Sequence, residues 1–122
     1  MKKHSIIGVL FILVVFLTIG CEKYNLKNKQ EEILGTWIKT DNSDTLFFLD
    51  DTNLYRSGTS ISDYYKYKLF ADSIEIEYAG CFFVAVHPTK HKYSMNDNRL
   101  TIDFSNIYCF GFEKESMTFF KE

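Results

Sequence analysis

The sequence has few of the residues from which helical bundles and membrane spans are built. Alanine occurs three times in 122 residues and proline once, and so few Ala and Leu residues argue against a helical bundle. No apolar run reaches the roughly 20 residues that a membrane-spanning helix needs. No cluster of Lys and Arg is present, so we expect no nucleic-acid partner.

Aromatic side chains, by contrast, are abundant and unevenly distributed. After Cys21 the chain contains 19 Phe, Tyr and Trp residues but only 16 Val, Ile and Leu residues. Ten further Val, Ile and Leu residues lie within the first 20 positions. This aromatic content argues against disorder, and the length allows a single domain.

The first 20 residues have the order of features found in a secretion signal. Met1 to His4 is basic, and Ile6 to Ile19 is an apolar core of 14 residues, interrupted only by a glycine and a threonine. Gly20-Cys21 follows, and the whole segment resembles bacterial lipoprotein signals, in which a small residue precedes the acylated cysteine. The resemblance implies removal of residues 1–20, acyl chains such as palmitate on Cys21, and a lipid-anchored place in the bacterial cell envelope. An ordinary signal peptide cut elsewhere, or an uncleaved anchor, is the alternative.

Two segments follow the signal. Residues 21–32 are predicted to be the acylated cysteine and a polar tether, and residues 33–122 to be the folded domain. Loss of residues 1–20 removes two lysines, so the formal charge changes from −2 to −4, with 12 Lys and Arg against 16 Asp and Glu. Membrane attachment is therefore expected through the acyl chains on Cys21 and not through a basic surface.

The domain consists of short alternating runs separated by turn residues, a pattern typical of strands. The clearest are Ile74 to Tyr78 and Leu100 to Phe104, in which every second residue is apolar. Cys81 to Val86 is apolar throughout, which is consistent with a strand buried on both faces. Eight strands fit within residues 35–122 if the chain merely bends at Pro88. We therefore predict an all-β, eight-stranded, antiparallel up-and-down barrel, with a β-sandwich or a ten-stranded barrel as alternatives.

Gly35-Thr36-Trp37, preceded by a predicted helical turn at Glu31 to Leu34, resembles the start of lipocalin-like barrels. Together with the lipoprotein signal, it makes the chain similar to the lipocalin-like lipoproteins of Gram-negative bacteria. The resemblance implies that Trp37 packs at the closed base of the barrel, beneath a basic residue near the last strand. Lys121 is the candidate, where the family usually has arginine.

Two binding functions follow from this interpretation, a structural or accessory role in the envelope is the third alternative, and none of the three is enzymatic. The first is binding of a small hydrophobic molecule inside the barrel. The inward positions expected to contact it are Trp37, Phe47, Tyr65, Tyr67, Ile74, Ile76, Leu100 and Ile102. The second is a protein-binding module, similar to small lipoproteins that inhibit lysozyme or proteases through an exposed loop. The candidate loops are Ser57 to Asp63 and Ser105 to Phe112, of which the second is unusually apolar.

The remaining reactive side chains favour a structural interpretation. Cys81 and Cys109 would lie in a compartment that permits a disulfide, which would enclose 29 residues, or they are two buried free thiols. His87 and His91 flank a proline-interrupted strand, where their spacing is too wide for a shared metal. We expect no metal and no cofactor. In the run Tyr64 to Lys68, Tyr65 and Tyr67 share one face of a strand with Leu69, while the lysines share the other.

Overall fold

The computed structural model describes residues 25–59 and 61–122. The predicted signal segment, Cys21 and its acylation lie outside these residues. Within the described ranges, no helix combines the length and the apolar content needed to cross a bilayer.

Eight antiparallel strands form a closed barrel in which each strand pairs with its neighbours in sequence and β8 pairs with β1. This confirms the predicted all-β up-and-down barrel and excludes the sandwich and the ten-stranded barrel. Pro88 is the last residue of the connection between β5 and β6, and β6 begins immediately after it, so the segment before Pro88 does not form a strand of its own. The elements are α1 (residues 25–33), β1 (Gly35–Lys39), β2 (Asp44–Phe48), β3 (Asn53–Gly58), β4 (Ser62–Leu69), β5 (Ser73–Tyr78), β6 (Thr89–Asn96), β7 (Arg99–Asp103) and β8 (Ser116–Lys121).

The alternation of buried and exposed side chains follows the strand period of two. In β4 every second residue is buried, so Tyr65, Tyr67 and Leu69 face the interior while Lys66 and Lys68 face water. The antiparallel register places Tyr67 opposite Ile76 on β5. The predicted division of this segment into an inner and an outer face is therefore confirmed.

The base of the barrel, defined as the end formed by α1 and the turns 49–52, 70–72 and 97–98, is closed by Trp37. Its side chain is fully buried, and its indole Nε1 donates a hydrogen bond of 2.7 Å to the carbonyl of Ile33 at the end of α1. The Lys121 ammonium lies 5.5 Å from the centre of the Trp37 ring and donates to the carbonyl of Glu32 at 2.7 Å. The Trp37 ring therefore closes the base next to the ammonium group of Lys121.

Helix α1 belongs to the domain, in contrast to the predicted tether over residues 21–32. Lys29 donates to the carbonyl of Ala71 at 2.6 Å, Gln30 donates to the Tyr67 hydroxyl at 2.9 Å, and Ile33 is fully buried. Polar side chains that suggested a solvated linker satisfy groups at the barrel base instead. The domain therefore includes residues 25–32 as well as the predicted residues 33–122.

Candidate binding groove at the mouth

Seven of the eight predicted inward residues face the interior, and they fill it. Each exposes at most 4% of its surface, and four of them expose none: Trp37, Ile74, Leu100 and Ile102. A cavity large enough for a ligand would leave accessible area on the side chains around it. These side chains therefore pack against one another at the density of a protein core and do not line a void.

Phe47 is the exception, and its predicted inward position is wrong. Leu46 and Phe48 take the inner positions of β2, so the residue between them lies on the outer surface. There Phe47 packs beside Tyr55, its register partner on β3, with ring centres 6.0 Å apart. Two adjacent phenylalanines do not reveal which of them faces inward, because either one satisfies an alternating pattern.

The opposite end of the barrel, called here the mouth, contains the two longest connections: the β5–β6 loop (79–88) and the β7–β8 loop (104–115). Between them lies a depression of about 500 Å³, called here the mouth groove. Six of its eight lining residues are apolar or aromatic. The lining consists of Ile61, Ser62, Phe82, Phe83, Val84, Tyr108, Phe110 and Gly111.

The β5–β6 loop includes Cys81 to Val86, and the predicted burial of that segment on both faces is wrong. Phe83 is fully exposed, and Phe82 exposes 58% of its surface. Strand β5 ends at Tyr78, and the β5–β6 ladder ends at the pair of Ile76 with Thr89, so no strand is left to pair with the intervening segment. Its apolar side chains therefore form an exposed rim.

Asp63 fixes the start of this loop. Its Oδ2 atom accepts hydrogen bonds from the Tyr78 hydroxyl at 2.5 Å and from the backbone N–H of Cys81 at 3.2 Å. The Tyr78 hydroxyl in turn accepts from the N–H of Phe82 at 3.1 Å. The hydrogen bond from Tyr78, followed by the backbone N–H of Tyr64, lowers the pKa of Asp63, so the acceptor stays ionised. This network holds one wall of the mouth groove.

The other wall depends on Arg56. Its guanidinium forms a two-point ion pair with Asp44, at 2.8 and 2.6 Å, and both side chains are almost fully buried. Arg56 also donates to the carbonyl of Gly111 and lies 4.0 Å from the centre of the Phe112 ring. A buried bidentate pair of this kind orients its donors firmly, so the β7–β8 loop is held against the barrel.

No protein family, curated protein or solved structure matches this chain.

Close to the buried thiol of Cys109, the Thr89 hydroxyl lies 2.7 Å from Nε2 of His91. Burial raises the pKa of Cys109 to about 11, so this thiol is protonated at neutral pH and is a poor nucleophile. The buried Cys109 thiol therefore belongs to the packing of the β7–β8 loop and provides no thiolate for catalysis.

The disulfide that the sequence allowed is not formed in this structure, where Cys81 and Cys109 are both free thiols. Cys81 is exposed with its sulfur 3.6 Å from Asp63, whereas Cys109 is buried beside Thr89. His87 is exposed and His91 is buried. The described residues contain no group of three His, Cys, Asp or Glu side chains able to hold a metal ion.

Sequence reasoning missed the polar residues that shape the mouth. Asp44, Arg56 and Asp63 have charged side chains, yet each occupies an inner position of a strand and is almost fully buried. Counting the period of two outward from the apolar residues of β2, β3 and β4 would have placed them inside. Buried charges are normally paired, so that placement alone would have indicated a polar network near the mouth.

The stability of the domain is expected to fall as the pH drops below about 6.5, because of His91. Burial lowers the pKa of this histidine in the folded state, so the unfolded chain binds the proton more readily. The free energy of unfolding should therefore decrease from about pH 6.5 downward until the folded-state pKa is passed. Urea denaturation between neutral pH and pH 5 measures this, and His91→Gln should flatten the decrease.

His87→Gln is the matched control, because His87 is exposed while His91 is buried. It should leave the pH dependence unchanged. An identical pH dependence in the native chain and in His91→Gln would contradict the assignment.

Proposed function

We propose that this chain is a lipid-anchored envelope protein with a lipocalin-like barrel, which binds a small hydrophobic molecule in its mouth groove. The single observation that supports this most strongly is the groove itself. Its volume of about 500 Å³ lies within the range of small-molecule sites, about 300–1,000 Å³. The packed barrel interior argues for binding at the mouth and against binding at the inward residues that the sequence indicated.

The chemistry of the groove favours a flat, largely apolar ligand with one polar group. Phe82, Tyr108 and Phe110 offer aromatic surfaces, which pack well against rings and unsaturated chains. The Ser62 and Tyr108 hydroxyls and the backbone of Gly111 are polar groups in the lining. Among the residues that the structure describes, no charged side chain lines the groove, so a strongly charged ligand would lose its hydration without gaining a partner.

The anchor is part of the same proposal and has its support in the sequence. Gly20-Cys21 follows a basic opening and an apolar core of signal-peptide length. Acylation of Cys21 would attach the barrel to the bacterial envelope through lipid and not through a protein span.

Ser62→Trp is expected to block the mouth groove and weaken binding of Nile red, an uncharged hydrophobic probe, at least about tenfold, a loss of about 1.4 kcal/mol. Ser62 is an exposed strand residue in the groove lining, so a large side chain there occupies the groove without entering the core. Fluorescence titration of a form lacking residues 1–21 measures the affinity. Ser94→Trp, at an exposed position of β6 outside the groove, is the matched control and should bind the probe like the native chain.

Ile76→Phe tests whether the probe binds in the mouth groove or in the barrel interior. Ile76 is 1% exposed inside the barrel, so the larger side chain leaves the groove free. Loss of probe binding in folded Ile76→Phe, with binding retained in Ser62→Trp, would place the ligand inside the barrel and overturn the proposal.

A second candidate, binding of a protein partner, is favoured by one specific observation. Phe83 exposes its entire side chain at the tip of the β5–β6 loop, and Phe82 and Val84 beside it are also exposed. Exposed apolar side chains grouped on a loop commonly mark a surface that another protein covers. The partner in this case would be an enzyme such as lysozyme or a protease, whose cleft the loop would enter.

Phe83→Ala is expected to abolish inhibition if the loop acts in this way, since a central aromatic residue of an interface commonly contributes about 2 kcal/mol or more. The measurement is the activity that lysozyme or an envelope protease retains as increasing amounts of this protein are added. Leu49→Ala changes an exposed apolar residue at the other end of the barrel and should have no effect. Full enzyme activity at stoichiometric excess of the native chain would contradict this second function.

A further inference from the structure

The two ends of the barrel differ in their exposed side chains, and this difference bears on the orientation of the protein at a membrane. The base carries α1 and short turns with an exposed leucine, Leu49, whereas the mouth carries the larger apolar rim of Phe82, Phe83, Ile107 and Tyr108. An exposed aromatic rim on its own would favour a mouth that dips into lipid. The position of the anchor opposes that arrangement.

The chain enters the barrel at the base. Helix α1 crosses this end, with Lys29 bound to the carbonyl of Ala71 in the β4–β5 turn and Ile33 buried beside Trp37. The ammonium of Lys29 also lies 5.8 Å from the centre of the Tyr93 ring on β6. These contacts keep the whole of α1, including its first described residue, Asn25, on the base side.

Covalent geometry then limits where an acylated Cys21 can lie. Three residues separate it from Asn25 along the chain, and the four residue-to-residue steps, fully extended, reach about 14 Å. An eight-residue strand such as β4 is about 26 Å long, which corresponds to a height of about 20 Å at the usual tilt of barrel strands. Lipid on Cys21 can therefore lie next to the base but cannot reach the mouth.

We infer that the base faces the membrane and that the mouth groove opens away from it, toward the aqueous phase. This inference rests on the proposed acylation of Cys21. It deepens the proposed function, because the ligand of the groove then arrives through water and is not drawn from the bilayer that holds the anchor. The apolar rim is correspondingly free to contact a soluble molecule.

The test uses the full acylated chain reconstituted into phosphatidylcholine vesicles whose headgroups carry a nitroxide quencher. An environment-sensitive fluorophore is attached at Leu49→Cys on the base or at Ile107→Cys on the mouth. Both variants also carry Cys81→Ser, since Cys81 is the exposed native thiol and Cys109 is buried. Each label replaces an exposed apolar side chain, at 56% and 47% exposure, so the two variants are closely matched. We expect quenching at position 49 to exceed quenching at position 107 several-fold.

The outcomes separate the orientation from the anchor. Equal quenching at the two positions, or stronger quenching at 107, in a chain whose mass shows the acyl groups would overturn the orientation and leave the anchor intact. A mature chain whose mass shows no acyl group on Cys21 would overturn both. Lengthening the chain between Lys23 and Tyr24 with a Gly/Ser segment should reduce quenching at position 49, because the base is then no longer held close to lipid.

Discussion

Replacing Asp44 with alanine is expected to lower the free energy of unfolding by about 3–5 kcal/mol. The substitution leaves the Arg56 guanidinium, which is 3% exposed, without the carboxylate that now binds it through two hydrogen bonds. An unpaired charge at this depth must either recover water or lose hydration without compensation. Urea denaturation at pH 7, followed by circular dichroism, measures the change.

Two further variants determine whether the loss of stability in Asp44→Ala arises from the unpaired charge of Arg56. Replacing both partners, as in the double variant Asp44→Leu with Arg56→Met, should recover much of the stability, because apolar side chains of similar volume often replace a buried pair without loss. Glu115→Ala breaks the exposed pair with Lys39 at 3.5 Å and should cost less than about 1 kcal/mol. A cost below 1 kcal/mol for Asp44→Ala as well would contradict the assigned burial of the pair.

The same pair connects stability to the mouth groove. Arg56 also donates to the carbonyl of Gly111, and Gly111 lines the groove. Gly111 has a φ of 85°, and a side chain there would collide with the Tyr65 hydroxyl, so the loop has little freedom to adapt. Loss of Arg56 should therefore weaken probe binding even under conditions in which the barrel remains folded.

The barrel itself could be predicted because its signal is repeated along the chain. Ile74 to Tyr78 and Leu100 to Phe104 alternate strictly, and the turn residues between strands set the connection lengths. Counting residues then left room for eight strands and not ten. Closure followed from the cost of open edges, a general property of sheets.

The structure of the mouth could not be predicted in the same way, because it depends on which segments of the chain pair with a strand and which do not. Cys81 to Val86 has the composition of a buried strand, yet β5 pairs directly with β6, so the segment that connects these two strands has no strand to pair with. The backbone N–H groups of Cys81 and Phe82 bind Asp63 and Tyr78, which are distant in sequence from each other. Such long-range hydrogen bonds have no local sequence pattern.

The sequence predicted only one helical turn before β1, and the longer helix α1 was missed for a related reason. Lys29 and Gln30 look like linker residues, since they lie within the largely polar run Glu22 to Glu32. Their partners, the carbonyl of Ala71 and the hydroxyl of Tyr67, lie about 40 residues further along the chain, at separations of 42 and 37. Only the closed barrel brings these groups to the base.

Trp37→Ala is expected to destabilise the domain by about 3–5 kcal/mol, the usual cost of removing a large buried aromatic side chain. Trp37 is fully buried, and its Nε1 atom donates to the carbonyl of Ile33. The substitution also removes the ring that faces the Lys121 ammonium. Urea denaturation followed by circular dichroism is the appropriate measurement, since Trp37 is the one tryptophan of the chain and its fluorescence is lost with it.

Graded variants separate the contributions at this site. Trp37→Phe retains much of the volume but removes the donor to Ile33, which should cost about 1–3 kcal/mol. Lys121→Met retains the packing and removes the charge, with an expected cost of about 0.5–2 kcal/mol. Amide hydrogen exchange in Trp37→Ala then distinguishes two roles for the ring. Faster exchange confined to α1 would show that Trp37 fastens the helix to a barrel that is stable without it, whereas faster exchange in all eight strands would show that the ring belongs to the core of the barrel itself.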